Sequence, residues 1–154
     1  MKFGLIVLMI VGALLVAGCC GPTYQASTAG QGGTDPYQKY YGTEKKVSSS
    51  LALKFDKYSE SLHSDGTKTV KLTLTVTNTG TEKEDIGSAL FVSDEAGRNF
   101  EANRFSCSAL VNPGLSKEFD CSFYDVPPKS RIVAIKMGDS LYEKGKYTTL
   151  FAFE

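Results

Sequence analysis

The amino-acid sequence predicts an all-β fold, a β-sandwich of seven to eight strands, and three observations support that prediction. In KTVKLTLTVTN (residues 68–78), apolar residues alternate with threonine and lysine, which is typical of a strand with one buried and one wet face. Short runs of this kind recur, with turn residues between them, at the spacing found in sandwiches. After residue 51, no stretch of ten or more residues shows the spacing of an amphipathic helix.

The individual strands follow from the same alternation and from the turns between them. Apolar residues alternate from Leu51 to Phe55 at the start of the domain. SALFVSDEAGRNF indicates two strands joined by a turn at Gly97, and LVNPGLS centres another turn on Pro113 and Gly114. We expect strands near residues 51–58, 68–78, 88–94, 98–102, 104–111, 117–126, 131–137 and 147–153.

The composition describes one modest globular domain without a charge bias. Of the 154 residues, 17 are lysine or arginine and 17 are aspartate or glutamate, and there is one histidine and no tryptophan. A balanced charge offers no long-range field for nucleic acid. A nucleic-acid partner is therefore not expected.

Residues 1–18 have the features of a signal peptide. Lys2 precedes the 16-residue apolar run FGLIVLMIVGALLVAG, which would span about 24 Å as a helix against roughly 30 Å of bilayer hydrocarbon. The run ends in VAGC, which resembles the lipobox of prokaryotic lipoproteins. The resemblance implies that Cys19 becomes the new N-terminus and carries a diacylglyceryl-type lipid.

A second interpretation of this segment is an uncleaved anchor helix in which Cys19 and Cys20 are interfacial thiols. Both interpretations place the rest of the chain outside the cytoplasm, because Lys2 holds the N-terminus inside. The adjacent cysteines lack the spacing of a thioredoxin-like pair or of a zinc site. For Cys20, a second acylation and a free thiol remain open.

Between the signal and the domain, the sequence predicts a lipidated flexible tether, residues 19–46, followed by the sandwich, residues 47–154. Residues 21–50 contain almost no aliphatic side chains and many Gly, Ser, Thr and Gln, so they bury too little apolar surface to offset the entropy of ordering. We expect Tyr37, Tyr40 and Tyr41 to be tolerated linker residues, with a partner or sugar site as the alternative.

Four motifs in the domain together resemble a known family. They are LTVTNTG (74–80), LFVSDEAGRNF (90–100), LVNPGLS (110–116) and YDVP (124–127). Their order and spacing are similar to the telokin-like, immunoprotective-extracellular-protein type of domain of unknown function, whose members often follow lipoprotein signals. Over residues 47–154 the resemblance implies an immunoglobulin-like β-sandwich, but it implies little about function.

Cys107 and Cys121 depart from the family pattern, and we expect them to form a disulfide. Cys107 shares parity with Phe105 and Ala109, and Cys121 shares parity with two phenylalanines, so both should face the core on either side of the turn at residues 112–116. In an oxidising compartment such a bridge contributes roughly 3 kcal/mol.

A phase change in the same strand predicts a β-bulge. Phe119, Cys121 and Phe123 are odd positions, whereas the family's inward pair, Tyr124 and Val126, is even. A β-bulge near Phe123 would reconcile the two patterns.

The sequence indicates no catalytic residues, no cofactor and no metal. Ser61, His63 and Asp65 are neighbours in a turn-like segment, but strand or turn geometry does not arrange such neighbours as a nucleophile, a base and an orienting group. Asp94 and Glu95 lack the ligand pattern of a calcium loop and fit turn chemistry. We expect His63 on the surface and the carboxylates dispersed.

These observations favour a non-catalytic, lipid-anchored binding or interaction module on the extracytoplasmic face of the cell membrane, with a protein or cell-surface partner. The alternatives are a structural envelope spacer and a small-ligand or inhibitor protein; a secreted hydrolase is less favoured. The threonine-rich face of residues 69–77 is either a partner surface or an inert wet face, and the inert face is preferred.

Overall fold

The structure is a computed structural model that describes residues 35–86, 90–103, 105–138 and 146–154. The described residues form a 3₁₀ helix, Gln38–Tyr40, and ten strands: β1 Glu44–Lys46, β2 Leu51–Leu62, β3 Lys68–Asn78, β4 Glu84–Asp85, β5 Leu90–Asp94, β6 Asn99–Glu101, β7 Leu110–Val111, β8 Ser116–Val126, β9 Ile132–Gly138 and β10 Tyr147–Ala152. The predicted signal peptide, residues 1–18, and residues 19–34 of the predicted tether, which include Cys19 and Cys20, lie outside the described residues.

Two four-stranded antiparallel sheets face each other. One has the order β1-β2-β3-β8 and the other the order β10-β9-β5-β6, and β4 pairs with β7 in a short ribbon. The neighbours β3 and β8, and β5 and β9, are distant in sequence, so the chain crosses between the sheets as in a Greek key. This arrangement confirms the predicted immunoglobulin-like β-sandwich, but the described residues form ten strands rather than seven to eight. The unpredicted strands β1 and β4 are two or three residues long and have no alternating apolar residues.

The core follows the period-two pattern of the sequence. Along β3, the side chains of Val70, Leu72, Leu74 and Val76 are fully buried, whereas the residues between them are partly or fully exposed. Phe55 on β2 and Phe123 on β8, the two strands that flank β3, fill the space between the sheets. Burial of apolar area at about 25 cal/mol per Å² is the main stabilising term of such a core.

Most predicted strands agree with the observed ones, but the strand predicted at residues 104–111 is largely wrong. Leu110–Val111 alone of this range is a strand. The predicted inward direction of Phe105 is also wrong, because its side chain is 101% exposed while Cys107 and Ala109 are buried. Both differences arise because these residues form a turn, in which Asn103 accepts hydrogen bonds from the backbone N–H groups of Phe105 and Cys107.

The β-bulge predicted near Phe123 is confirmed. Val70 pairs with Phe123 but Lys68 pairs with Val126, so β8 carries one extra residue there. Asp125 within the bulge has φ 56°. Val126 is buried as the resemblance implied, but Tyr124 is 49% exposed, so its predicted inward direction is wrong.

The predicted end of the tether at residue 46 is also corrected. The described part of that segment, residues 35–46, includes the 3₁₀ helix and β1, which pairs with β2. Tyr37 is 4% exposed and belongs to the core, and Tyr40 and Tyr41 pack against it. We expected too little apolar surface here because aliphatic residues are scarce. The aromatic rings of these tyrosines provide the buried apolar surface instead.

Candidate functional site

The disulfide between Cys107 and Cys121 is present, as the sequence predicted. The two Cα atoms are 4.3 Å apart, and both side chains are fully buried. The bridge ties the segment that follows β6 to β8, the edge strand of its sheet.

Hydrogen bonds hold the same segment on the outer side of β8. The Asn103 N–H donates to the Ser122 carbonyl at 2.8 Å, and the Ser122 N–H donates to Ser106 Oγ at 3.3 Å. Asn103 also closes the turn, because its side-chain oxygen accepts the Phe105 N–H at 2.9 Å and its carbonyl accepts the Cys107 N–H at 3.0 Å. A disulfide and four hydrogen bonds therefore tie Asn103, Ser106 and Cys107, on either side of Phe105, to β8 and to one another.

Phe105 projects from this fixed turn with its side chain fully exposed. Tyr124 is half-exposed and lies two residues beyond Ser122 on the solvent face of β8. We call Phe105, Ser106, Ser122 and Tyr124 the Phe105 flank. Single exposed apolar residues are common on protein surfaces, but Phe105 is fully exposed beside a disulfide-bonded segment, and phenylalanine is one of the aromatic residues enriched at protein interfaces.

His63 is exposed in the β2–β3 turn, where its Nε2 lies 2.7 Å from Thr69 Oγ1. Asp65 faces Thr67 instead, accepting its backbone N–H at 2.9 Å and its hydroxyl at 2.7 Å. Those bonds from Thr67 hold the pKa of Asp65 below its usual value. Asp65 therefore stabilises the turn through Thr67 and does not orient the His63 side chain, which contacts Thr69.

Asp94 closes the β5–β6 turn, as turn chemistry predicted. Its buried carboxylate accepts the Arg98 N–H at 2.9 Å, Arg98 Nε at 2.7 Å and Ser130 Oγ at 3.1 Å. Glu95 accepts the Arg131 N–H at 2.6 Å. Within the described ranges, no three His, Cys, Asp or Glu side chains gather as a metal site would need.

Lys68 is a buried cation at the start of β3. Its ammonium group donates to Glu60 Oε1 at 2.7 Å and to the Ser130 carbonyl at 2.6 Å. These two acceptors compensate the charge, which is the condition for burying it.

The threonine-rich face of β3 bonds to its own neighbours. Thr73 donates to Asp120 at 2.9 Å and Thr75 donates to Asp56 at 2.6 Å. Lys71 also pairs with Asp120 at 2.7 Å. These cross-strand contacts satisfy polar groups within the sheet, which supports the preferred interpretation of an inert wet face.

The sequence interpretation missed a cluster of tyrosines at the N-terminal side of the sandwich. The Tyr37 ring lies 4.0 Å from the Tyr58 ring, and the Tyr41 ring lies 5.3 Å from the Phe55 ring, between ring centroids. Burial and a hydrogen bond to Asp35 raise the pKa of Tyr41 to about 12. The concentration of three tyrosines within five residues was the available signal.

Comparison with known proteins gives a limited result. No protein-family model and no curated protein matches the chain. Among solved structures, the secreted protein MPT63 of Mycobacterium tuberculosis has a TM-score of 0.46 at 15% identity, with 68% of this chain and 82% of that chain covered. An uncharacterized β-sandwich protein of Clostridium difficile 630 has a TM-score of 0.45 at 8% identity, with 71% and 89% covered. Membership of the telokin-like family stays a prediction.

In the part of the chain that the structure describes, no helix is long and apolar enough to cross a membrane.

Proposed function

We propose that this protein is a lipid-anchored, non-catalytic interaction module on the extracytoplasmic face of the cell membrane, and that it binds a protein partner through the Phe105 flank. The VAGC motif at residues 16–19 supports the anchor. The buried disulfide supports an oxidising compartment, because disulfides persist outside the reducing cytosol.

The observation that carries the binding proposal is the full exposure of Phe105 on a fixed turn. Burying a phenylalanine side chain in an interface gains about 1.5–3 kcal/mol from the apolar area alone. The disulfide of Cys107 and the hydrogen bonds of Asn103 already hold residues on either side of Phe105, which lowers the backbone entropy that binding costs. Tyr124, two residues beyond Ser122 on β8, offers a second exposed aromatic ring, of a residue type enriched at interface centres.

The non-catalytic part of the proposal is supported by the partners of the titratable groups. His63 contacts Thr69 in an exposed turn, and Asp94 is committed to Arg98 and Ser130. General acid–base catalysis needs such groups to face a substrate within hydrogen-bonding reach.

Site-specific photocrosslinking in living cells tests the binding proposal. A photoreactive benzoyl-phenylalanine at position 105 should give an adduct of one defined mass, because that side chain would lie inside the interface. The same probe at Leu62, which is 65% exposed at the end of β2, is the control and should give no such adduct.

The partner identified from this adduct should then bind the Phe105→Ser variant at least tenfold more weakly than the parent chain, about 1.4 kcal/mol. Adducts that are absent at position 105, or identical at positions 105 and 62, would refute the binding surface and favour a structural spacer.

A further inference from the structure

The segment from Asp35 to Lys46, which we call the N-terminal clamp, determines where the chain enters the sandwich. The sandwich has two ends. At the far end β2 begins with Leu51 and β8 begins with Ser116, and at the root end β8 finishes with Val126 and β9 begins with Ile132.

Tyr37 binds the clamp to the root end. Its hydroxyl donates to the Ile132 carbonyl at 3.0 Å and accepts the Ile132 N–H at 3.2 Å. Its ring packs 5.1 Å from the ring of Phe153, between centroids, close to the last residue of the chain. The Glu154 N–H in turn donates to the Tyr40 hydroxyl at 2.7 Å.

The remaining clamp residues lead the chain from the root end back towards the far end. Tyr41 accepts the Tyr58 N–H at 2.9 Å, and the Gly42 N–H donates to the Phe55 carbonyl at 2.8 Å. β1 then runs antiparallel to β2, with Glu44 opposite Lys54. The clamp therefore spans most of the distance between the two ends.

Without the clamp, a membrane tether would enter the domain at the start of β2, which is the far end. The register from Leu51 to Tyr58 covers seven residues, so the clamp moves the point of entry by about 23 Å. The 16 residues from Cys19 to residue 34 would span about 22 Å as a flexible coil. The shift of the entry point is thus as large as the reach of residues 19–34. The end at which the chain enters the domain therefore decides which end lies near the membrane.

We propose that the N-terminal clamp orients the domain on its membrane attachment, with the root end towards the lipid and the far end away from it. This inference rests on the proposed function in one respect, namely that the attachment precedes residue 35. It holds equally for a lipid on Cys19 and for an uncleaved anchor helix.

The orientation also defines the partner of the Phe105 flank as a protein rather than the bilayer. Ser122, to which the Phe105 turn is bonded, lies four residues before Val126 at the root end, which is about 13 Å along the strand. In the proposed orientation this distance separates the Phe105 turn from the membrane-facing end of the domain, which favours a protein partner over the bilayer.

Energy transfer to labelled lipids tests the orientation on the full chain bound to vesicles. One fluorophore, attached through an azide-bearing residue, replaces Asp65 in the root-end turn in one sample and Asn112 in the far-end turn in another; both positions are exposed. With acceptor lipids in the headgroup layer, transfer should be stronger from position 65 than from position 112. In the Tyr37→Ser, Tyr41→Ser double variant this difference should shrink or reverse, whereas Tyr147→Ser, at an exposed tyrosine on β10 outside the clamp and outside the Phe105 flank, should preserve it.

Equal transfer from the two positions, or stronger transfer from position 112, in the vesicle-bound parent chain would overturn the orientation alone. That comparison does not depend on the stability of the double variant. A parent chain that does not bind vesicles would refute the membrane attachment and the orientation together, and flotation with the vesicles distinguishes this case from the first.

Discussion

Asp94 is a buried charge that is stabilised by the turn it closes. Its side chain is 0% exposed, and it accepts hydrogen bonds from the Arg98 side chain, the Arg98 backbone and Ser130. Burial raises the pKa of the carboxyl, but the bonds from Arg98 and Ser130 together outweigh it and hold the pKa below its usual value. Because an unfolded aspartate titrates near 3.9, this stabilisation is full above about pH 4 and is lost as the pH falls through the lower folded-state pKa.

We predict that Asp94→Asn lowers the free energy of unfolding by about 2–3 kcal/mol at pH 7, because charge-assisted hydrogen bonds to Arg98 are lost. The gap between variant and parent should narrow as the pH falls below 4, since the parent then loses the same charge. Urea unfolding at several pH values measures both effects. Glu118→Gln, at an exposed position of β8, is the control, and a gap that stays constant down to pH 2 would contradict the role given to Asp94.

Asp125 adopts a left-handed backbone conformation, with φ 56°, in the bulge of β8. Glycine adopts this conformation without strain, whereas a β-branched residue does not. We predict that Asp125→Gly is neutral or stabilises by up to about 1 kcal/mol, and that Asp125→Val destabilises by about 1–2 kcal/mol. Thermal unfolding of the two variants provides the comparison, and equal midpoints would show that the bulge is not constrained as described.

The disulfide has its main effect at the scale of the element, because it ties the Phe105 turn to β8. The two cysteines are 14 residues apart in sequence, so removing the bridge should cost about 3 kcal/mol. We predict this loss for the Cys107→Ala, Cys121→Ala double variant in urea unfolding.

Peptide mapping after thiol labelling checks the same bridge in the parent chain. Without reductant, Cys107 and Cys121 should stay unlabelled, because both are oxidised and buried. Stoichiometric labelling of either residue before reduction would refute the bridge.

Alternation and turn chemistry predicted the central strands well. β3 was predicted with the observed bounds because its pattern is long and regular. The turns at Gly97 and Gly114 were predicted from their sequences, and both glycines have the positive φ that such turns use, 77° and 71°. The disulfide was predicted because Cys107 and Cys121 each share the parity of nearby apolar residues, on either side of the turn at Gly114.

The errors have physical causes at the same scale. The alternation of buried and exposed residues does not extend from Cys107 back to Phe105, because the two residues lie in a turn. Their backbone N–H groups donate to Asn103 rather than to a neighbouring strand. The family resemblance implied that Tyr124 faces the core. The extra residue of the bulge comes after Tyr124, so the side chain of Tyr124 still faces solvent. The clamp was missed because its burial depends on long-range contacts of Tyr37 with Ile132 and Phe153, which local patterns do not encode.

At the scale of the whole molecule, the edges of the two sheets approach each other where the clamp faces β10. β1 and β10 are edge strands, and a groove of about 390 Å³ between them is lined by Tyr40, Lys45 and Leu150, among others. β1 is short and carries Lys45 and Lys46, and β10 has an irregular register after Thr149. Short, charged and irregular edge strands are the usual protection against unwanted strand pairing. We therefore regard β1 and β10 as edges protected against pairing with another chain.

The proposed function depends most on the attachment of the chain to the membrane through a lipid on Cys19, whereas the orientation by the clamp requires only an attachment before residue 35. Mass spectrometry of the intact protein, extracted from native membranes, tests this claim most directly. We predict a mature chain that begins at Cys19 and carries a diacylglyceryl-type lipid, and a Cys19→Ser variant that remains an unprocessed precursor without lipid. A parent chain that still begins at Met1 and carries no lipid would contradict the claim.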